Sequence, residues 1–331
     1  MNQNRTREAI FLEQSYLAEI APSFPDLTKN PDVLTQLLED KRNKRTRHEY
    51  RKDINDFFKT VTGSLPTPDT VLQLLHLDRH RATALVLKYK AELFKRGLSE
   101  ATVNRRLAAI KALVAMGRKL GVCDYSLEDV KGEKVQTYRD TSGVTPELYK
   151  QVLANCDLAT QAGKRDYALL KLLWGNALRR NEVSQLNIGD FDPDAKTIKV
   201  LGKGKGTQFE IIDLSGATTE ALLQWLKVSG TKKKSAPLFI SLDFHHFGHR
   251  LTGDGIYKIV RKYCQMAGIT KPMSPHRVRH SSITAALDAT DGNVRKVQKL
   301  SRHANLDTLM RYDDNRRSYQ LEVTELLDEL I

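Results

Sequence analysis

The stretch that decides the fold of this chain reads Pro275-His276-Arg277-Val278-Arg279-His280. A histidine and an arginine at helical positions i and i+3, here His276 and Arg279, share one face and can point at one ligand. The segments Ser301-Arg302-His303 and Met310-Arg311-Tyr312 follow it. Imidazole, guanidinium and phenol groups without an acidic cluster among them are typical of a pocket for an anion. Because arginine can bind phosphate through paired hydrogen bonds, phosphate suits this pocket best.

Two segments upstream extend the pattern. The first is Ala177-Leu178-Arg179-Arg180-Asn181-Glu182-Val183, and the second is Val200-Leu201-Gly202-Lys203-Gly204-Lys205-Gly206. Together with the two segments downstream they closely resemble the tyrosine recombinases, the phage-integrase-like family. That family has a Gly-(Leu/Met)-Arg-x-x-Glu motif, a lysine-bearing hairpin, a His-x-x-Arg-His motif, and a Gly-His followed by a tyrosine. One motif alone is weak evidence, but four in the right order form a strong signal.

The resemblance implies a role for each matching residue. The six active-site positions of the family all hold functional residue types, which argues against a degenerate relative that only binds DNA. They are Arg179, Lys203, His276, Arg279, His303 and Tyr312, and the supporting positions are Glu182 and His280.

The chemistry of phosphodiester cleavage fits these residue types. A phenol such as that of Tyr312 can form a covalent bond to phosphorus. Guanidinium groups of Arg179 and Arg279, with the imidazoles of His276 and His303, can stabilise charge on the phosphate oxygens. Lys203 can protonate the leaving 5′-hydroxyl. Because the phosphotyrosyl bond conserves the bond energy, the expected reaction requires no ATP. Cations and imidazoles take the place of the carboxylates that hold Mg²⁺ in metal-dependent nucleases, so no metal or cofactor is expected.

Other interpretations stay open at several of these positions. Tyr312 can be an ordinary core or surface tyrosine, and Arg179 can form a structural ion pair with Glu182. Lys205 is the alternative to Lys203 as the general acid.

The sequence departs from the family pattern at two places. Asn176-Ala177 replaces Thr-Gly, and Arg302 replaces the glycine before His303. Arg302 is expected to alter the loop around His303 or to add a phosphate contact.

Composition favours a packed globular protein of about two domains, given 331 residues, and its basic charge is one that ribosomal and membrane-surface proteins share with DNA-binding proteins. The net charge of +13 favours polyanions such as nucleic acid. Cys123, Cys156 and Cys264 form no Cys-x-x-Cys pair, which favours a reducing compartment and argues against a zinc site.

Without a signal peptide or a membrane-spanning run, the protein is expected to be cytoplasmic, and nucleoid-associated in a prokaryote. A metal site at His245, His246 and His249 is disfavoured, and a surface loop is expected there.

Periodicity predicts a mainly α fold. Residues 1–30 are expected to form an arm or helix, 31–125 a helical DNA-binding bundle, 126–143 a linker, and 144–331 the catalytic domain with a C-terminal helix. Thr145-Pro146-Glu147 looks like the start of a helix. The remainder reads as helical except for one β-hairpin, Thr197-Ile198-Lys199-Val200 with Phe209-Glu210-Ile211-Ile212. The resemblance further implies that the bundle is a SAM-like core-binding domain.

Two basic helix faces in the bundle raise the possibility of contacts with the phosphate backbone of double-stranded DNA. Solvated surface is the alternative explanation. The candidate residues are Arg47, Arg51, Arg105, Arg106 and Lys111.

The resulting hypothesis is a site-specific recombinase that acts through a 3′-phosphotyrosyl intermediate and a Holliday junction. Family resemblance implies a homotetramer on DNA in which C-terminal helices are exchanged between protomers. The alternatives are a nicking and resealing enzyme like type IB topoisomerases, and a non-catalytic DNA-binding protein. The target sequence, the accessory factors and the biological task (integration, excision or dimer resolution) do not follow from the sequence.

Overall fold

The computed structural model describes residues 32–135, 143–202, 208–306, 309–310 and 319–330. The chain divides into two compact units, Met1–Tyr138 and Arg139–Ile331. The expected fold class, mainly helical with a small sheet, is confirmed. The arm or helix expected over residues 1–30 lies outside the described residues. Within the described ranges, no helix combines the length and apolar character needed to cross a membrane.

The first unit is a helical bundle. Four of its helices begin at a side-chain cap, in which Asp32, Asn43, Thr67 and Asp78 each accept a hydrogen bond from a backbone N–H of the first turn. Gly63, which follows the helix Lys44–Thr62, has a φ of 80°, the left-handed conformation that ends helices. The helices are α1 (Val33–Asp40), α2 (Lys44–Thr62), α3 (Pro68–Leu75), α4 (Arg79–Lys95) and α5 (Glu100–Lys119).

The core of this unit contains buried side chains from all five helices. Phe57 on α2 contacts Tyr89 on α4 edge to face, with ring centroids 5.1 Å apart. The apolar face of α5 is buried, including Val103, Leu107 and Ile110. Burial of these faces is the main stabilising contribution to such a bundle.

The second unit contains the remaining helices and the sheet. The central helix of this unit, α7 (Gln161–Gly175), packs against α9 (Gly216–Val228) and α11 (Pro275–Asp288). The elements are α6 (Pro146–Ala154), α7 (Gln161–Gly175), α8 (Arg180–Gln185), β1 (Phe191–Asp192), β2 (Thr197–Leu201), β3 (Phe209–Asp213), α9 (Gly216–Val228), α10 (Gly253–Met266), α11 (Pro275–Asp288), α12 (Val294–Ser301) and α13 (Tyr319–Asp328).

The sheet has one strand more than predicted. It is antiparallel with the order β1-β2-β3, and Lys199 is paired with Ile211 as expected for a hairpin. The added strand β1 pairs Phe191 with Ile198. A strand of two residues is too short to show an alternating pattern, which is why the sequence did not predict it.

The prediction of helix outside the hairpin was wrong for residues 229–244, whereas the surface loop expected at His245, His246 and His249 is present. This segment is irregular and contains only isolated bridges, Asn187 with Pro237 and Ile240 with Arg250. Its apolar residues Leu238 and Phe239 are nevertheless buried. Short apolar runs do not distinguish helix from other buried structure, and here tertiary packing decided the conformation.

Candidate active site

The first motif lies where α7 ends and α8 begins. Ala177 has a φ of 46°, a left-handed conformation that is uncommon outside glycine. The backbone N–H of Arg179 donates to Glu182 Oε2 at 2.8 Å. The guanidinium of the same arginine donates to Glu182 Oε1, also at 2.8 Å. The buried carboxylate of Glu182 therefore fixes both the start of α8 and the side chain of Arg179.

The second motif forms the first turns of α11. The Ser274 hydroxyl accepts a hydrogen bond from the Arg277 N–H at 3.2 Å, and Pro275 occupies the first turn. One turn apart, His276 and His280 lie on the same side of α11, with Nε2 atoms separated by 2.8 Å. The sequence predicted a supporting role for His280, and a direct contact with His276 is consistent with that prediction.

Arg279 connects the motifs. Its guanidinium donates to the carbonyl oxygens of Ala177 and Ser301, and Nη2 lies 3.3 Å from Nε2 of His303. The side chain is almost completely buried, at 2% exposure. Hydrogen bonds to a charged group compensate for such burial. Arg279 thus joins the segment before α8, helix α11 and the turn after α12.

His303 follows the turn that ends α12. Burial, and then the positive charges of Arg279, Arg179 and Arg302, lower the pKa of His303 to about 4, with a smaller contribution from His276. At neutral pH this imidazole is therefore uncharged and can both donate and accept a hydrogen bond. Arg279 contacts His303 directly, and the charges of Arg179 and His276 also act on it. We call Arg179, His276, Arg279 and His303 the active-site cluster.

Arg302, beside this cluster, has a role that did not follow from the sequence. Arg302 was expected to alter the loop or to contact phosphate, but its Nη2 lies 2.6 Å from Glu182 Oε2 in a buried ion pair. Desolvation by burial lowers the pKa of Arg302. The only signal in the sequence was the replacement of the family's glycine by a cation.

Comparison with known proteins decides the family. The pattern of the phage integrase family matches residues 143–318. A tyrosine recombinase of Synechocystis sp. is 51% identical over 303 residues, which cover 91% of this chain and 96% of the relative. The chain belongs to the phage integrase family. It is a tyrosine recombinase, and the expected activity of DNA strand exchange is confirmed.

Other relatives agree with this assignment. A tyrosine recombinase of Synechococcus elongatus is 47% identical over 300 residues, covering 91% of this chain and 94% of the relative. The fold resembles that of the XerH site-specific recombinase bound to palindromic difH substrate, with a TM-score of 0.66, 21% identity, and coverage of 89% of this chain and 84% of that one. A lambda integrase dimer bound to a COC′ core site gives a TM-score of 0.60 at 13% identity, covering 86% of this chain and 77% of that one.

Three predicted positions lie outside the described residues. They are Tyr312, the proposed nucleophile, and Lys203 and Lys205, the two candidates for the general acid. Their roles in this recombinase, and the choice between the two lysines, stay predictions.

The basic residues proposed to bind DNA differ in their surroundings. Arg106 is mostly buried and forms an ion pair with Asp56, which also accepts a hydrogen bond from the Tyr89 hydroxyl at 2.7 Å. Arg105 is more exposed and pairs with Asp53 and Glu49. The remaining three are exposed or half-buried, namely Arg47, Arg51 and Lys111.

The histidine-containing loop has its own hydrogen bonds. His246 Nδ1 lies 2.9 Å from Asp243 Oδ1. Side-chain hydrogen bonds hold the pKa of Asp243 below its usual range, with the larger effect from Ser241 and the smaller from His246. In the described ranges, no group of three or more His, Cys, Asp or Glu side chains is arranged to hold a metal ion.

Proposed function

We propose that this recombinase exchanges strands between specific sites in double-stranded DNA through a 3′-phosphotyrosyl bond to Tyr312. The observation that carries the proposal is the convergence of two arginines and two histidines from separate motifs, with Arg279 bonded to the segments of both other motifs. Cations and imidazoles without nearby carboxylate ligands fit a phosphate whose charge must be stabilised. Among the described residues, the carboxylate that contacts Arg179 is that of Glu182. It forms ion pairs with Arg179 and Arg302.

The roles follow from the chemistry of each group. The Tyr312 oxygen attacks phosphorus, and the bond to the 5′-oxygen breaks. Lys203 supplies the proton for that oxygen, which leaves as a 5′-hydroxyl. The active-site cluster stabilises the charge on the non-bridging oxygens. In the second step, the oxygen of a 5′-hydroxyl of the partner duplex attacks phosphorus and gives its proton to Lys203. The bond from phosphorus to the Tyr312 oxygen breaks, and the phenolate recovers the proton that it lost on attack.

The neutral state of His303 suits this mechanism. Its neighbours Arg179 and Arg279 already provide positive charge, so a neutral imidazole adds a hydrogen bond without further repulsion between cations. When a phosphate enters the cluster, its negative charge opposes the effect of the arginines and favours the protonated form of His303. DNA binding is therefore expected to be coupled to proton uptake below neutral pH.

The two units are proposed to have different functions, DNA binding in the first and catalysis in the second. Residues 31–125 form a DNA-binding domain, 126–143 a linker and 144–331 the catalytic domain, after an N-terminal arm over 1–30. The net charge of +13 supports binding to the DNA backbone. Two structurally similar recombinases, XerH and lambda integrase, were solved bound to DNA.

We further propose a homotetramer on DNA, with the C-terminal helix of each protomer docked on a neighbour. Helix α13 and the residues after it carry exposed apolar side chains, with Leu326 at 55%, Leu327 at 58% and Leu330 at 78% exposure. A contiguous apolar face of this kind favours burial against another protein surface. Strand exchange through a Holliday junction requires such an assembly of active sites.

The first experiment identifies the target and tests the chemistry. The protein is incubated with a library of random-sequence duplexes, and DNA that stays attached after denaturation is recovered and sequenced. Wild-type protein should yield an enriched sequence, while Tyr312→Phe should bind the same DNA without forming the adduct. Failure of the wild-type protein to form any adduct would contradict the proposed nucleophile.

The second experiment distinguishes recombination from nicking and resealing. Two duplexes that share the recovered site but differ in length and label are incubated together. A recombinase produces strands that combine the label of one duplex with the length of the other. Relaxation of supercoiled plasmid without hybrid strands would instead support an enzyme like type IB topoisomerases.

A further inference from the structure

Arg302 occupies a backbone conformation that disfavours its side chain. It follows α12 with φ 55° and ψ 40°, and its N–H donates to the Gln298 carbonyl at 2.7 Å. Glycine adopts this left-handed conformation without a steric penalty, whereas other residues do not. An arginine at this position therefore requires compensating interactions.

The compensation comes from two acidic residues. The Arg302 side chain is only 8% exposed, and its Nη2 lies 2.6 Å from Glu182 Oε2. Its Nε lies 3.6 Å from Glu210 on β3. Nε and Nη1 are both buried without a hydrogen-bond partner among the described residues, so the attraction of Glu210 for Arg302 is electrostatic. The contact that the structure shows for this guanidinium is with Glu182, which is the basis for its proposed role.

Two arginines therefore hold one carboxylate from both sides. Arg179 Nη1 binds Oε1 of Glu182, while Arg302 Nη2 binds Oε2. With both oxygens engaged, the carboxylate cannot rotate without breaking a charged hydrogen bond. A glycine in place of Arg302 would leave Glu182 with Arg179 as its only guanidinium partner in the described part of the chain.

We propose that Arg302 is a positioning residue for DNA cleavage. It fixes Glu182 and thereby holds the Arg179 guanidinium toward the scissile phosphate, with Glu210 as its second anchor. This role rests on the proposed function of Arg179 as a phosphate ligand. The partners of groups that contact a reacting centre usually affect rate strongly although they do not touch the substrate.

The test is Arg302→Gly, a change that also relieves the left-handed backbone and so favours a folded protein. At saturating target DNA we expect the rate of covalent adduct formation to fall about 10- to 100-fold. The dissociation constant for DNA should change less than about twofold, because Arg302 does not contact DNA. The matched control is Lys196→Gly, which removes a cation and places glycine at another left-handed position, with φ 51°. That variant should cleave at the wild-type rate.

The anchor is tested with Glu210→Gln in a double-mutant cycle. Glu210→Gln alone should slow adduct formation less than Arg302→Gly does. The double variant should be no slower than Arg302→Gly, because Glu210 acts through Arg302. Losses that multiply would show independent roles and overturn the proposed anchor.

The other outcomes are equally distinct. An unchanged cleavage rate in Arg302→Gly overturns the positioning role and leaves the proposed function intact. Weaker DNA binding with an unchanged rate at saturation identifies Arg302 as a phosphate contact and also overturns it. Absence of adduct with wild-type protein overturns the proposed function itself, and the role of Arg302 with it.

Discussion

The Nε2 atoms of His276 and His280 lie 2.8 Å apart on successive turns of α11, with the two rings perpendicular and their centroids 4.3 Å apart. At this distance one nitrogen donates a proton and the other accepts it, so the two Nε2 atoms cannot both be protonated. The pair thus restricts the tautomer and the ring orientation of His276, which is proposed to contact the phosphate.

His280 is therefore expected to affect catalysis through His276. His280→Phe retains a flat ring but cannot share the proton, and it should lower the rate of adduct formation at saturating DNA by about tenfold. His280→Gln, which keeps a hydrogen-bonding group, should lose less. Equal rates for wild type and His280→Phe would show that His276 is oriented by other contacts.

Stability should decrease in acid because of His303. Its pKa is lowered from 6.5 to about 4, so the unfolded chain binds a proton between these values that the folded protein does not. The contribution of neutral His303 is complete above pH 6.5 and is lost as the pH falls toward 4. Urea unfolding of wild type and His303→Gln at pH 7 and pH 5 measures this effect.

The comparison between the two proteins removes the effect of other titrating groups. Wild type should lose more unfolding free energy between pH 7 and pH 5 than His303→Gln loses. Identical losses would mean that His303 has similar pKa values in the folded and unfolded states.

Arg279 is expected to stabilise the fold as well as the reaction. Arg279→Ala leaves the buried carbonyls of Ala177 and Ser301 without their charged donor, and should reduce the free energy of unfolding by on the order of 3 kcal/mol. Arg279→Lys keeps a charge but cannot reach both carbonyls, so it should also be destabilised. Denaturant titration checks both variants, and unchanged stability in Arg279→Ala would contradict the structural role.

Substitution of Arg106 should affect protein stability, whereas substitution of Arg51 should affect DNA binding. Arg106 is largely buried in its ion pair with Asp56, so Arg106→Ala should lower stability by about 1–3 kcal/mol, with Arg96 remaining as a partner of Asp56. Arg51 is exposed, so Arg51→Ala should leave stability unchanged. If Arg51 contacts a phosphate, its loss should weaken DNA binding and reduce the salt dependence by about one unit of slope.

Thermal denaturation and DNA titrations over a range of salt concentrations separate these effects. A stable Arg106→Ala protein with weak DNA binding would show that Arg106 contacts DNA despite its ion pair. An unaltered salt slope in Arg51→Ala would exclude that residue from the interface.

The sequence by itself determined the family, the fold class and the identity of the active-site candidates. These depend on residue types at fixed separations and on helical periodicity, both of which are local properties of the chain. The departures Ala177 and Arg302 were also visible in the sequence. Only the structure explains them, because both residues have positive φ, where the family uses glycine.

Only the tertiary structure decided which partners these residues have. The Arg302–Glu182 and Arg279–Ala177 contacts join residues far apart in sequence, and no local pattern predicts them. The partner of Arg106 was likewise not predictable, because the sequence places Arg106 on a basic helix face whereas the structure pairs it with Asp56. A charged side chain becomes a ligand or a structural contact according to the groups that burial places beside it, and burial is a property of the folded chain.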